Sequence, residues 1–418
     1  MKQPLNFKDF GPCDMETWRN MVKKELGDKP YENIVWKDEN GLSLEPYLNI
    51  DGNLQAISIT NQKNWQIAQT FPSENDAEWN QSILTALMGG VQHLTLDFRN
   101  QNFCNIGSVL KDVLLDVISI RFINHPDPLK LLQNFNQFAV SLDLDLAKVS
   151  GSIRVDQSDE MLLNQIAFYC KTSLPSFHAV EIDGIGFHNR GANAVLEISA
   201  SLSVAHNRLF QLMKNGMSLR EVNSQLQFNV GVSSSYFVEI AKIRVLRQLW
   251  NFILTNYDSS IDQEKDRCLI YAETSLRTQV EADIHNNLLR TATQTMSTII
   301  GGADVVNTLP YNAFKEKSDV TSMRLARNIQ HLLIEESYLG AASNAVSGTY
   351  YISEIVEQLA DKVWSLFRDI ENKGVDAPEY ISSLLKQQND VRNLEIEQGK
   401  RIVVGLNKYQ QTASEIVT

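Results

Sequence analysis

Eight short β-branched or apolar runs recur along most of this chain, each followed by a longer stretch of helical periodicity. They are Trp65 to Gln69, His93 to Asp97, Val117 to Phe122, Gly151 to Val155, Val180 to Asp183, Leu226 to Val230, Leu269 to Glu273 and Val305 to Leu309. Strands that alternate with helices make repeated βα units and hence a parallel sheet. Eight such units predict an α/β fold of the (β/α)8 TIM-barrel type.

The flanking segments predict additions to that barrel. Met15 to Leu26 has Trp18, Val22 and Leu26 on one helical side, and Tyr31 to Ala56 is rich in turn residues, so 1–60 reads as an N-terminal arm. The barrel is expected over 61–372. Its helices are signalled by the capping-box spacing of Ser218 and Glu221, and by a core stripe at Phe237, Ile240, Ala241, Val245, Leu249 and Phe252. Tyr351 to Ile370 reads as a long helix stopped by Asn372-Lys-Gly374, and 373–418 as a helical tail containing Pro378 to Gly399.

Composition narrows the function. The chain has 418 residues, 43% of them hydrophobic, enough for a large core. Its 38 basic and 50 acidic residues give a net charge of -12, with no run of Lys and Arg that could track phosphates, which argues against nucleic acid and anionic membranes as partners. No apolar stretch approaches the roughly 20 residues needed to span a bilayer. Residues Met1 to Phe10 lack the apolar core of a secretory signal, so a cytoplasmic location is the expectation. Cys13, Cys104, Cys170 and Cys268 are far apart and read as free thiols in a reducing compartment.

In a TIM barrel the reacting groups sit at the C-terminal ends of the strands. Here those positions are Thr70, Asp97, Arg99, Asp156, Asp183, Asn229, Glu273 and Thr308, among which no acid/base pair or nucleophile set is recognisable. His188, in the glycine-rich turn Gly184-Ile-Gly-Phe-His-Asn-Arg-Gly191, is the strongest single candidate. It could donate to a carbonyl, or simply pin its own loop. The seven histidines offer no H-x-x-x-H pair and no companion cysteine, so no metal site is expected. Asn229-Val-Gly-Val-Ser-Ser-Ser235 joins a strand to a helix, where helix N-H groups could bind an anion or the serines could act as plain N-caps.

From about Trp65 to Tyr409 the chain resembles the methylmalonyl-CoA mutase family, in its small, non-catalytic subunit form. The resemblance rests on Ile182-Asp-Gly-Ile-Gly-Phe-His-Asn-Arg-Gly-Ala192, Ala241-Lys-Ile-Arg-Val-Leu-Arg-Gln-Leu-Trp250, Asn286-Asn-Leu-Leu-Arg-Thr291, Thr308-Leu-Pro-Tyr311 and Arg324-Leu-Ala-Arg-Asn328. Gly348-Thr-Tyr-Tyr-Ile352 and Gly405-Leu-Asn-Lys-Tyr409 continue it. It implies a barrel that threads acyl-CoA, working with adenosylcobalamin in an isomerase that interconverts methylmalonyl-CoA and succinyl-CoA.

Three departures from the catalytic pattern stand out. The catalytic tyrosine of a Q-Y-A-G motif is replaced by Thr70 after Gln69. Where catalytic chains carry R-T-H-S-Q-T-S, this one has Leu269-Ile-Tyr-Ala-Glu-Thr-Ser275. The corrin motif D-x-H-x-x-G is only imitated by Asp283-Ile-His-Asn-Asn-Leu288, expected within a helix, so no cobalamin-binding flavodoxin-like domain is expected in this chain. The resemblance therefore implies a subunit that binds no cofactor itself and pairs with a catalytic large subunit as a heterodimer, with the cobalamin held in the assembled mutase. Thr70, Asp183, His188, Asn189 and Glu273 would be its vestigial site. Two other readings are an acyl-CoA-binding barrel that works with a separate cobalamin-binding subunit, and a barrel whose mouth, lined by Asp183, His188 and Asn189, takes another small molecule.

Overall fold

The computed structural model describes residues 14–48, 65–99, 104–155, 159–315, 319–341 and 344–410. Cys13, Asp156 and the stretch 49–60 of the expected arm lie outside them. Before the barrel stand helix α1 (Met15–Leu26) and a short antiparallel pair, β1 (Trp36–Lys37) and β2 (Ser43–Leu44). Asp14 caps α1 by accepting the Thr17 N–H at 2.7 Å. Trp18 stacks on Tyr47 at 5.2 Å, while Leu42 and Leu44 are buried.

The barrel strands are β3 (Gln66–Pro72), β4 (His93–Asp97), β5 (Ser119–Ile123), β6 (Ser150–Ile153), β7 (Phe177–His178), β8 (Val180–Asp183), β9 (Leu226–Val232), β10 (Leu269–Thr274) and β11 (Val305–Asn307). All their pairings are parallel, in the order β7-β6-β5-β4-β3-β11-β10-β9-β8. β7 and β8 are halves of one strand broken at Ala179: the first half pairs with β6 and the second with β9. The nine segments thus amount to eight strand positions closing a ring, as the repeat predicted. Phe177–His178, the half that completes the ring, is the segment the sequence pattern omits.

Helices α2 (Asp76–Met88), α3 (Ile106–Val109), α4 (Pro128–Ser141) and α5 (Glu160–Ser173) follow β3 to β6. After β8 come α6 (Gly184–Asn189), α7 (Ala194–Lys214) and α8 (Leu219–Ser224); α9 (Tyr236–Tyr257), α10 (Asn286–Gly301) and α11 (Val320–Glu335) complete the ring. The predicted capping box is present: the Glu221 N–H donates to Ser218 Oγ at 3.3 Å, and the Ser218 N–H to Glu221 Oε2 at 2.8 Å. The glycine-rich segment after β8 is not an open turn but the one-and-a-half turns of α6. The corrin-like Asp283-Ile-His is not helical either; it is a turn ahead of α10, with the His285 ring 5.7 Å from that of Tyr311.

Helices α12 (Tyr350–Glu371) and α13 (Ala377–Glu397) cover the α7/α9 side of the barrel. Ile352, Leu359, Val363, Phe367 and Ile370 of α12 are buried, as their period predicts. The α9 stripe divides. Ile240, Ala241, Val245 and Leu249 are core, whereas Phe237 and Phe252 stay about half exposed and meet Tyr351 and Trp364 of α12 edge-on at 5.2 Å. Among the described residues no helix is long and apolar enough to cross a membrane.

Candidate functional site

Alternation along the strands turns every second side chain toward the barrel axis. On this chain the axis is polar. Arg121 of β5 lies across its middle and makes a bidentate pair with Glu181 of β8, with Nε to Oε1 at 2.8 Å and Nη2 to Oε2 at 2.7 Å. Ser152 Oγ donates to Glu181 Oε1 at 2.6 Å and Asn229 Nδ2 to Oε2 at 2.7 Å, so the carboxylate is saturated by donors from three neighbouring strands, β5, β6 and β9. The Arg121 guanidinium stacks on Tyr271 of β10, 4.5 Å from the ring centre. Arg121 is 3% exposed, Glu181 6% and Tyr271 0%. Burial alone would raise the Glu181 pKa, but the Arg121 charge and the donated hydrogen bonds hold it below the ordinary glutamate range.

Beneath this plug, His93 of β4 shares a 2.6 Å hydrogen bond with Ser119 Oγ, which donates to Gln66 Oε1 at 2.8 Å. Burial, followed by repulsion from Arg121, lowers the His93 pKa to about 3. The folded chain therefore holds a neutral imidazole that the unfolded chain protonates near pH 6.5. Stability is complete above that value and declines as pH falls through the window down to about 3, with a slope of about 1.4 kcal/mol per pH unit from this one group. Denaturant unfolding at pH 7 and pH 5 should show His93→Gln losing less stability on acidification than the parent. Equal losses would mean His93 is already charged when folded.

At the C-terminal rim the structure brings together two of the sequence-predicted positions. Asn307 Nδ2 donates to Thr70 Oγ1 at 3.1 Å and to Glu273 Oε2 at 2.8 Å. The sequence pattern does not point to Asn307, because the apolar run continues two residues further, to Leu309, while the strand ends at Asn307. Burial raises the Glu273 pKa. Asp183 is engaged elsewhere, accepting from Arg154 and from the Gly186 N–H at 3.0 Å. Asp97 holds Arg99 and Asn124, and Thr308 pairs with Thr295 at 2.7 Å. Asn189 is exposed at the end of α6.

His188 does not line a mouth. It is 2% exposed, with Nε2 2.7 Å from Ser275 Oγ and Nδ1 3.3 Å from Glu197 Oε2. The order Ser275, His188, Glu197 is that of a nucleophile relay, but Ser275 is itself 2% exposed and Glu197 has other work. Glu197 accepts the Gly231 N–H at 2.9 Å and Lys242 Nζ at 3.0 Å. Lys242 also contacts Glu239 at 2.5 Å and the Gly231 carbonyl. A Cβ on Gly231 would lie 2.5 Å from His188 Cγ, so only glycine lets the ring into this position. The cluster locks β9, α6, α7 and α9 to one another. Glu239 and Lys242 carry no sequence signal, because they interrupt the apolar stripe of α9 as any solvated pair would.

Among the described residues, no group of three or more His, Cys, Asp or Glu could hold a metal ion. Cys170 and Cys268 are buried free thiols and Cys104 is a partly buried one, with pKa values all raised by burial.

The family model for methylmalonyl-CoA mutase matches residues 105–418. The methylmalonyl-CoA mutase small subunit of Porphyromonas gingivalis is 27% identical over 436 residues, an alignment covering 96% of this chain and 71% of that one. A probable methylmalonyl-CoA mutase small subunit of Mycobacterium tuberculosis is 26% identical, with 82% and 59% covered. The mitochondrial methylmalonyl-CoA mutase of Homo sapiens is 22% identical, with 96% and 61% covered. The chain thus spans about six-tenths of the length of the latter two. With a parallel eight-position barrel and a family match over three-quarters of its length, the chain belongs to the methylmalonyl-CoA mutase family.

Proposed function

We propose that this chain is the small subunit of an adenosylcobalamin-dependent methylmalonyl-CoA mutase, a non-catalytic barrel that stabilises a catalytic large subunit. In this reading 1–60 is an arm, 61–372 the barrel and 373–418 a tail, and Thr70, Asp183, His188, Asn189 and Glu273 are remnants of an active site. The observation that carries it is the Arg121–Glu181 pair across the barrel axis, saturated by Ser152 and Asn229 and stacked on Tyr271. A pantetheine arm can reach the rim through the axis only by displacing a buried, fully bonded ion pair, at a cost of several kcal/mol. The names of the small-subunit relatives support the partner.

The rim supports the same reading. Adenosylcobalamin supplies the radical chemistry in such an enzyme, but the rim groups here are not disposed to serve it. Thr70 and Glu273 are tied by Asn307, Asp183 by Arg154, and His188 is enclosed. No catalytic step is assigned to this chain.

Calorimetric titration with a succinyl-pantetheine thioester tests this directly, because that probe carries the arm that must enter the barrel and none of the phosphates of CoA. No saturable binding to the purified chain is expected, together with a stable complex when a catalytic large subunit is added. Micromolar binding would defeat the silent reading and favour the acyl-CoA-binding subunit that works with a separate cobalamin-binding one.

A further inference from the structure

A cavity of about 450 Å3 lies away from the axis, where the loop Ser233-Ser-Ser235 after β9 meets the tail. Four guanidinium groups line it: Arg277, Arg290, Arg392 and Arg401. Among the described residues, only Arg401 of the four makes ion pairs, to Glu39 at 2.6 Å and to Glu395 at 3.2 Å. Arg290 donates to Asn287 at 2.8 Å and to the Val404 carbonyl, both uncharged. Arg277 donates to the Ala192 carbonyl at 3.2 Å, and its Nε and Nη1 are shielded from solvent without a hydrogen-bond partner among the described residues. Arg392 has neither a hydrogen bond nor an ion pair among the described residues. Burial, then the charges of Arg277 and Arg401, lower its pKa against the opposing pull of the Glu39 carboxylate, which also lines the cavity.

The serines of the loop are not all consumed as caps. Ser233 is engaged ahead of the helix, donating to Glu239 at 2.5 Å and accepting the Ser235 N–H at 3.3 Å. No side chain caps α9 at Ser235. Ser234 Oγ accepts from Gln294 at 3.4 Å, which leaves its proton available. The 22-residue α9 thus points its positive end toward the cavity with hydroxyl donors beside it. Leu289, Ile402 and Val404 supply an apolar part of the lining.

We propose that this cavity binds a small organic phosphate. Its phosphoryl group would be held by Arg392 and Arg290 at the head of α9, with Ser234 and Ser235 as further donors, and its organic part would rest on Leu289, Ile402 and Val404. Arg277 supplies field from behind. Because Arg392 and Arg401 to Val404 come from the tail while the serines and Arg277 come from the barrel, the ligand joins the tail to the barrel. It would act at a distance from the axis and would not depend on the barrel being sealed.

The test uses the full chain, with pyrophosphate and ADP as probes at constant ionic strength maintained by chloride. Saturable binding and a rise in unfolding temperature with either probe are expected, with ADP at least as tight as pyrophosphate. Arg392→Ala should weaken binding at least about tenfold and Arg392→Lys less, since a charge-assisted bidentate contact is lost in the first and a single charge kept in the second. Without ligand, Arg392→Ala should unfold at the parent's temperature or above it, because it removes the repulsion of Arg277 and Arg401, which outweighs the pull of Glu39, and no hydrogen bond or ion pair. Unchanged binding in Arg392→Ala, no binding to the parent, pyrophosphate binding without ADP, or a variant destabilised without ligand would each overturn the proposal.

Discussion

Glu181→Ala is expected to lower the unfolding free energy by about 3–5 kcal/mol, because it leaves Arg121 charged, buried and unpaired in the middle of the barrel. The pair is 3% and 6% exposed, so water cannot take over the lost hydrogen bonds at the surface. The double replacement Arg121→Met with Glu181→Leu should recover most of that loss, since an apolar pair of similar volume needs no counter-charge. Acid should act in the same direction on the parent. The Glu181 pKa is depressed in the folded chain, so its contribution is whole above the ordinary glutamate value of 4.5 and is lost as pH falls through the lower folded value. Urea unfolding followed by two probes measures each of these. A loss below about 1 kcal/mol for Glu181→Ala would mean that Arg121 finds water or another partner, and that the axis is less tightly closed than its burial indicates.

Lys242→Met should be comparably damaging, again by about 3–5 kcal/mol at pH 7, because Glu197 and Glu239 would face each other without the ammonium that lies 3.0 and 2.5 Å from them. Its pH dependence has the opposite sign. With the lysine gone, burial and mutual repulsion raise a carboxyl pKa above its unfolded value, so the folded variant binds the extra proton and gains stability as pH falls. The difference between variant and parent should therefore shrink between pH 7 and pH 5. A difference that stays constant would show that Glu197 remains ionised, held by the Gly231 N–H and by His188 alone.

These two clusters also mark the boundary of what sequence reading reaches in this protein. The repeat of apolar runs and helical periods by itself determined the barrel, with β4 and β8 at their predicted bounds, the Ser218 capping box and the apolar face of α12. Such features are local: a strand or helix announces itself through neighbours within a few residues, and period 2 or 3.6 is written in the chain.

The barrel's interior belongs to the tertiary structure. Arg121 and Glu181 are 60 residues apart, Gly231 and Glu197 34, and Asn307 and Thr70 237, so nothing in their local sequence names the partner. A charge within a strand reads as a solvated edge until ring closure turns it inward, where low dielectric makes an opposite charge obligatory. His188 illustrates the same limit. Its glycine-rich surroundings suggest an open loop, but Gly184 and Gly231 are there for close approach: added Cβ atoms would sit 2.5 Å from the Asn229 carbonyl and from the His188 ring. Sequence thus decided that a barrel forms and where most of its strands lie, while only closure of the ring decided that polar side chains would fill its axis, because satisfaction of buried charge is a property of residues brought together from distant strands.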